Sequence, residues 1–371
     1  MFLNTYNVSC YVIIVRYVIQ TKGVYTVPTI YPTKEFIKML PKAELHLHLE
    51  GTLEPELKLK LARRNKITIG QETIEEVKKN YQFDSLSSFL NVYYPAMNVL
   101  QTEEDFYELA WEYLKKAKEH NVRHVEVFFD PQAHTSRGVS FEKMFNGYYR
   151  AIRDSSNLGI SANLIMCFLR DMSAESAMEA FEQALPYKDK IVGIGLDSDE
   201  RGNPPSKFFD VFKKAKEEGF HITMHCDIDQ ENSIEHIRQA LFDAKVERID
   251  HGTNIVENQD LVNYIKENNI GLTCCPVSNS FVVEDMKGKE IIELLEQGVK
   301  VTVNSDDPAY FQSYISDDLY ALAENYSLTT EQVIQLVKNS FAIAWISEEE
   351  KEEYIQSIDE YVKNFNKTKV I

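Results

Sequence analysis

The chain has 371 residues, and 44% of them are hydrophobic, which is enough for a large buried core in one or two domains. Its formal net charge is −18. This charge disfavours a nucleic-acid partner and an anionic membrane surface, because both need a basic protein surface, and it suits a small neutral or cationic ligand. The five cysteines are an odd number without Cys-x-x-Cys spacing, which predicts buried thiols in a reducing cytoplasm and no disulfide framework.

The first 38 residues differ from the rest of the chain. Residues 8–20 form an apolar run, interrupted by Arg16, that is too short to span a bilayer. No basic residue precedes this run and no clear small-residue cleavage site follows it, so it does not match a secretory signal. We predict an N-terminal extension of unclear role over residues 1–38, with Met39 as an alternative start, and a single domain over residues 39–371.

One pattern then repeats along the chain: a short β-rich run, a polar residue at its end, and a helical stretch. Strands that alternate with helices eight times predict an α/β fold of the (β/α)8 TIM-barrel class. The long interval between the first two runs must hold extra helices after the first strand. The predicted strands are residues 43–49, 122–129, 162–169, 191–196, 221–225, 248–250, 271–274 and 300–303.

Two helix starts can be predicted from capping residues. Residues 102–118 carry an apolar stripe at helical spacing, and Thr102 and Asp105 are placed as an N-terminal cap. Ser347 followed by Glu350 predicts a capping box that opens an acidic terminal helix.

Polar or titratable residues follow nearly every predicted strand. Because the chemistry of such barrels lies at the carboxyl ends of the strands, these residues are expected to share one face. Buried charges cost several kcal/mol unless they are paired or bound to metal, so the pattern predicts an active site. The residues are His46, His48, Asp130, Arg170, Asp171, Asp197, His225, His251, Ser278, Asp306 and Asp307.

The first strand contains the pair His46 and His48. Apolar and polar residues alternate from residue 43 to 49, and in a strand two residues at this spacing share a face, roughly 7 Å apart at Cα. Two imidazoles so placed can converge on one divalent metal ion. The alternative interpretation is a pair of histidines on the solvated face of an amphipathic strand.

Later strand ends supply the remaining ligand types for a metal. Three imidazoles and one carboxylate suit a single Zn²⁺ with room for one water, which ionises at about pH 7 when bound. His251 would hold or deprotonate that water, and Asp307 could accept a hydrogen bond from a substrate. The sequence therefore predicts a metal-dependent hydrolase whose ligands are His46, His48, His225 and Asp306.

Four segments resemble the adenosine/adenine deaminase family of zinc amidohydrolases: residues 41–51 (PKAELHLHLEG), 246–252 (VERIDHG), 275–279 (CPVSN) and 299–308 (VKVTVNSDDP). The resemblance implies a (β/α)8 barrel, one zinc ion, and hydrolytic removal of the 6-amino group of a purine as ammonia. By motif position, the four predicted ligands match the family's metal ligands. His251 matches the catalytic histidine, and Asp307 matches the residue that contacts purine N7.

Within the family, the details resemble the adenine branch. Glu50 stands where adenosine deaminases usually carry an aspartate that contacts the ribose. Ser198 matches a position, usually glycine, whose backbone N–H contacts purine N3, although its side chain crowds the approach. The resemblance therefore implies deamination of adenine to hypoxanthine. The other segments similar to adenine deaminases are residues 128–138 and 167–170, which would narrow the pocket where a ribose would sit, and residues 195–200.

One departure from the family concerns the acid that protonates purine N1. The family has a glutamate three residues after the third metal ligand, whereas this chain has Ile228 three residues after His225. A carboxylic acid at this place contributes about 10²–10⁴-fold in rate. Asp229 substitutes for the glutamate if the loop is one residue longer, and Asp227 is the second choice.

Three alternatives stay open. The substrate could be adenosine, an N6-substituted adenine or an adenine nucleotide, although the net charge weighs against nucleotides. The barrel alone also permits a metal hydrolase of amides or esters, and Ile228 permits a non-catalytic zinc-binding barrel. The cytidine-deaminase type of zinc site is excluded, because residues 274–276 lack its Pro-Cys-x-x-Cys order. The sequence does not predict the oligomeric state.

Overall fold

A computed structural model describes residues 31–226 and 230–368. Its eight strands are all parallel and form one sheet in the order β1 to β8, which confirms the predicted (β/α)8 barrel. The strands are β1 (Lys42–Glu44), β2 (Val122–Phe129), β3 (Ser161–Leu169), β4 (Gly193–Asp197), β5 (His221–Cys226), β6 (Arg248–His251), β7 (Gly271–Cys274) and β8 (Val301–Val303).

Helices fill the intervals between the strands. Four of them, α2 to α5, lie between β1 and β2, as the length of that interval predicted. The helices are α1 (Lys34–Met39), α2 (Pro55–Asn65), α3 (Ile74–Lys79), α4 (Leu86–Ala96), α5 (Glu103–Glu119), α6 (Pro131–Thr135), α7 (Phe141–Asp154), α8 (Ala174–Ala184), α9 (Phe209–Glu217), α10 (Ser233–Gln239), α11 (Gln259–Glu267), α12 (Pro276–Val282), α13 (Gly288–Glu296), α14 (Pro308–Phe311), α15 (Ile315–Tyr326), α16 (Thr330–Ala342) and α17 (Glu348–Thr368).

The first strand is shorter than the alternation predicted. β1 ends at Glu44, and the chain continues in extended form through single bridges, from Leu47 to Asp306 and from His48 to Phe128. The regular backbone hydrogen bonds between strands stop there, because the N–H of Leu45 donates to the side-chain oxygen of Asn304, at 2.9 Å, and not to a backbone carbonyl. The bridge to Asp306 joins the first and last strands and closes the barrel.

Both predicted helix starts are confirmed. Thr102 caps α5, with its hydroxyl accepting from the N–H of Asp105 at 3.3 Å while the Asp105 carboxylate accepts from the N–H of Thr102 at 2.7 Å. Ser347 and Glu350 make the same reciprocal pair at the start of α17. Such caps satisfy N–H groups that the first helical turn leaves without partners.

Helix α1 packs against α17, because the ring of Phe36 lies 5.5 Å from that of Tyr361 and 4.9 Å from that of Phe365. The apolar run at residues 8–20 and Cys10 lie outside the described residues, and the domain boundary at residue 38 stays a prediction. The four described cysteines are buried, as predicted. None of the helices in the described part of the chain has both the length and the apolar character needed to cross a membrane.

The interior of the barrel is partly polar. Along β2 the side chains alternate, so that Val125 and Val127 face the helices while Glu126 faces inward, where its carboxylate accepts from Arg248 at 2.6 Å. The guanidinium of Arg248 also lies over the ring of Trp345, at 4.0 Å. Burial alone would raise the pKa of Glu126, but Arg248 and His124 lower it to about 2.

We expect Glu126→Gln to lower the free energy of unfolding by about 3–5 kcal/mol, because it leaves the buried Arg248 charge uncompensated. The pKa of Glu126 is lower in the folded state than its ordinary value of 4.5, so its contribution is present above pH 4.5 and is lost as the pH falls towards about 2. Urea unfolding at several pH values measures both effects. Glu247→Gln, which changes an exposed carboxylate at the start of β6, is the control. An equal loss in both variants would contradict the prediction.

Candidate active site

Four histidines and one aspartate meet at the carboxyl ends of the strands. The ring centroid of His46 lies 4.6 Å from that of His225 and 4.7 Å from that of His251, and the rings of His48 and His225 are 5.1 Å apart. Asp306 follows β8 and contacts this cluster through its carboxylate. The structure thus brings together five of the residues that the strand-end pattern predicted to share one face.

Three residues at this face have the left-handed backbone that non-glycine residues seldom adopt: Ser198 (φ 73°), His251 (φ 62°) and Asp306 (φ 61°). The reason is clearest for His251. In a regular strand it would share the face of Ile249, whose side chain is buried in the apolar core. The positive φ turns the imidazole towards the histidine cluster instead. Such backbone strain is typical of active sites, where surrounding contacts hold it in place.

The Nδ1 atom of each of the three predicted histidine ligands lies near an oxygen atom of another residue, at hydrogen-bond distance for His46 and His225. His46 Nδ1 lies 2.9 Å from Thr273 Oγ1 and 3.0 Å from the Thr273 carbonyl oxygen. His225 Nδ1 lies 3.1 Å from the carbonyl oxygen of Leu196. His48 Nδ1 lies 3.4 Å from a carboxylate oxygen of Asp197. Acceptors at Nδ1 fix the tautomer and orient Nε2 for coordination of a metal.

The Nε2 atoms of two of these histidines contact Asp306, and that of the third lies beside them. Those of His46 and His48 lie 3.2 and 3.4 Å from Asp306 Oδ1. The Nε2 atoms of His48 and His225 are 3.1 Å apart, too close for two lone pairs without a cation or a proton between them. A tetrahedral metal with metal–nitrogen bonds of about 2.0–2.1 Å requires nitrogens about 3.3 Å apart, so the residues fit a divalent metal ion. His46 Nε2 is also buried without a hydrogen-bond partner among the described residues.

Burial and neighbouring charges shift the histidine pKa values in different directions. Burial alone would lower the pKa of His48, but nearby carboxylates, Asp307 first, raise it to about 10. Burial and the surrounding imidazoles lower the pKa of His225. Burial is also the main cause that lowers the pKa of His251 to about 3, so its imidazole is neutral near pH 7.

Asp250, which the sequence analysis did not select, supports two of these histidines. Its carboxylate accepts from the hydroxyls of Thr223 and Thr273, both at 2.8 Å, and lies 3.5 Å from His225 Nδ1. Thr273 in turn contacts His46. In the sequence, the feature that could have singled out Asp250 is a carboxylate inside a short buried strand. Its contacts become visible only from the pairing of β5, β6 and β7.

A cavity that is partly open to solvent lies over the cluster. One wall belongs to helix α4, which is fastened to the end of β4 because the hydroxyl of Tyr94 donates to Ser198 Oγ at 2.7 Å. The wall is mostly apolar and is completed by residues from two other helices. Its apolar and aromatic residues are Leu86, Phe89, Leu90, Tyr93, Tyr94, Val282 and Phe311.

Two buried carboxylates face the same cavity, Asp130 after β2 and Asp197 at the end of β4. Each has an oxygen atom within 4.8 Å of a ring nitrogen of His48. Burial and the charge of Asp197 raise the pKa of Asp130 well above its usual range, and burial raises the pKa of Asp197 to about 8. Asp130 Oδ1 has no hydrogen-bond partner among the described residues.

The predicted substrate-binding residues have different positions. Asp307 and Ser198 line the cavity, and burial and the Asp306 charge raise the pKa of Asp307. Glu50 is not among the residues that line it. The Glu50 carboxylate lies behind the wall, 2.7 Å from His134 Nε2 and 2.9 Å from the donating hydroxyl of Tyr148. The predicted proton donors Asp227 and Asp229 lie outside the described residues.

The chain is similar to a known protein family and to characterised sequences. The family model described as adenosine deaminase matches residues 41–361. An adenine deaminase from Acinetobacter baylyi is 51% identical over 329 residues, which cover 88% of this chain and 98% of that protein.

Solved structures with a similar fold include an adenine deaminase and a zinc-bound amidohydrolase. The crystal structure of an adenine deaminase from Arthrobacter aurescens has a TM-score of 0.84 and 42% identity, covering 87% of this chain and 99% of that chain. An amidohydrolase from Burkholderia ambifaria, solved with bound Zn, has a TM-score of 0.80 and 25% identity, covering 91% of this chain and 97% of that chain.

We expect Asp250→Ala to lower the affinity for a divalent metal about 10- to 100-fold, because it releases Thr273 and His225 from their common acceptor. Competition with a chelating dye measures this affinity. Asp260→Asn, an exposed carboxylate at the start of α11, is the control and should leave the affinity unchanged. If both variants bind metal as the wild type does, Asp250 does not position the ligands.

Proposed function

The chain belongs to the adenosine deaminase family, as its motifs predicted, and we propose that it is an adenine deaminase. It is a hydrolase of the C–N bond of a cyclic amidine, and the reaction converts adenine and water to hypoxanthine and ammonia. The single observation that supports this best is a histidine–aspartate cluster beneath a cavity, in a chain that shares 51% sequence identity with an adenine deaminase.

The metal in this proposal is one Zn²⁺ per chain. When bound, zinc lowers the pKa of water to about 7 and so supplies the nucleophile that attacks C6 of the purine. The convergence of Nε2 atoms on Asp306 Oδ1 supports this assignment, as does the hydroxyl of Ser278, which donates to the other oxygen, Oδ2, at 2.6 Å. The proposed ligands are His46, His48, His225 and Asp306.

His251 is the proposed general base. Its neutral imidazole lies beside the ligand cluster, with Nε2 4.0 Å from Asp306 Oδ2, where it can take a proton from the attacking water. The protonated imidazole is an acid, so it can then deliver that proton to the amino group, which departs as ammonia. Burial keeps the imidazole neutral, which supports this role.

Two cavity residues are proposed to orient the ring. Asp307 contacts N7, and the backbone N–H of Ser198 donates to N3. The hydroxyl of Ser198 is already bonded to Tyr94, which supports a serine at this place because the side chain is directed towards α4. Glu50 is proposed to act indirectly, since its carboxylate accepts from the N–H of Asp130 at 3.4 Å and so positions the start of the loop after β2.

The acid that protonates N1 is proposed to be Asp229, with Asp227 as the second choice. Attack at C6 builds negative charge on the ring, and a nearby carboxylic acid relieves it. Both residues follow β5, directly after the proposed ligand His225, and this position in the sequence supports the assignment.

We expect the purified, zinc-loaded protein to release ammonia from adenine faster than from adenosine, N6-methyladenine or AMP. Removal of zinc by a chelator should abolish the release, and added Zn²⁺ should restore it, because the nucleophile depends on the metal. A coupled ammonia assay measures both effects. Activity on adenosine alone would contradict the adenine assignment. No activity on any of the four compounds would favour the non-catalytic zinc-binding alternative.

We expect Asp229→Asn to lower kcat for adenine about 10²–10⁴-fold with little change in KM, because the lost proton transfer occurs only in the transition state. Asp227→Asn should have a much smaller effect, and it serves as the matched control. The reverse order would assign the proton to Asp227. Full activity in both variants would remove a carboxylate at this loop from the mechanism.

A further inference from the structure

We propose that Asp130 selects the free base, because its carboxylate accepts a hydrogen bond from the N9–H of adenine. Adenosine and adenine nucleotides carry a sugar at N9 and have no hydrogen there. This inference rests on the proposed function and adds a contact that would distinguish adenine from its nucleosides. Asp130 directly follows β2, at the face where the proposed metal ligands converge.

Asp130 has the exposure and orientation of a residue that binds a ligand. It is only 1% exposed, yet it lines the cavity, and its Oδ1 has no hydrogen-bond partner among the described residues. A buried carboxylate oxygen without a donor costs free energy, so such groups in native proteins are normally satisfied by a partner. A ring N–H of the substrate is a donor that the cavity itself can receive.

The surroundings of Asp130 place it on the N9 side of the ring. In the proposed orientation N7 contacts Asp307 and N3 contacts Ser198, and N9 lies between these two nitrogens on the purine edge. Asp130 and Asp197, the residue before Ser198, have carboxylate oxygens within 4.8 Å of each other and of a ring nitrogen of His48, and an oxygen of Asp307 also lies within 4.8 Å of a His48 ring nitrogen. Asp130 therefore lies near both ends of the edge that carries N9.

The residues around the proposed N9 position also disfavour a larger substituent at N9. Asp130, Asp197 and Asp307 are three buried acidic residues that line the cavity around the proposed N9 position. Tyr94, bonded to Ser198, closes the same side of the cavity. A ring N–H is small and donates a hydrogen bond, and a corner of acceptors is complementary to it.

The test compares adenine with 9-methyladenine, which differs at N9 alone. Because a site that binds a substrate N–H strongly rejects an analogue without it, the wild type should favour adenine by about 10³-fold or more in kcat/KM. Asp130→Asn should reduce this preference about 10- to 100-fold, mainly by slowing adenine turnover. Asp130→Ala, which also opens space, should reduce the preference further by accelerating turnover of 9-methyladenine.

Asp260→Asn is the control, because Asp260 is an exposed aspartate at the start of α11. It should keep the full preference. Zinc content and the thermal midpoint identify variants that are merely misfolded. Wild-type enzyme that accepts both compounds equally would overturn the proposal without any variant. An unchanged preference in folded, zinc-loaded Asp130→Asn and Asp130→Ala would overturn it as well.

Failure of the proposed function is distinguishable from failure of this inference. If the wild type releases no ammonia from adenine, calorimetric binding of hypoxanthine and 9-methylhypoxanthine to the zinc-loaded protein replaces turnover. Tighter binding of hypoxanthine in the wild type, reduced in Asp130→Asn, would support the contact with Asp130. Equal binding of both compounds would overturn it.

Discussion

The hydrogen bonds that close the barrel are made by the same residues that are proposed to hold the metal. The N–H of His48 donates to the carbonyl of Asp306 at 3.0 Å, and the N–H of Asp306 donates to the carbonyl of His46 at 3.1 Å. Because the first and last strands meet through these bonds, the side chains of all three residues must lie at one point of the rim. The site therefore depends on closure of the sheet, and a metal bound there would reinforce that closure.

Beneath the rim, the polar interior of the barrel keeps the histidines in place. Asp250 links β5, β6 and β7 because it accepts hydrogen bonds from two threonine hydroxyls. One of these, the hydroxyl of Thr273, also contacts Nδ1 of His46. Phe128 fills the space next to the histidines, with its ring 5.2 Å from that of His46. The imidazoles are thus oriented by neighbours that are themselves buried and bonded, which is how proteins keep metal ligands in a fixed geometry.

Most of the fold could be predicted because its signals are local in sequence. Alternation and strand-end polarity predicted all eight strands, and β2 and β7 have the predicted bounds. The positions of Asp130 and Asp250 could not be predicted in the same way, since their neighbours come from other strands and depend on the register of pairing. Glu50 shows the same limit: its sequence position suggested a substrate contact, but its side chain faces His134 behind the wall.

The left-handed residues of the rim imply a trade-off between stability and function. A non-glycine residue in this conformation costs roughly 1–2 kcal/mol. At Ser198 a glycine would relieve that cost and still present a backbone N–H, but it would lose the hydroxyl that fastens α4 to β4. The strained backbone at Ser198 is therefore retained together with the hydrogen bond that holds α4 against the end of β4. Substitutions that stabilise the protein at these positions are expected to lower its selectivity among substrates.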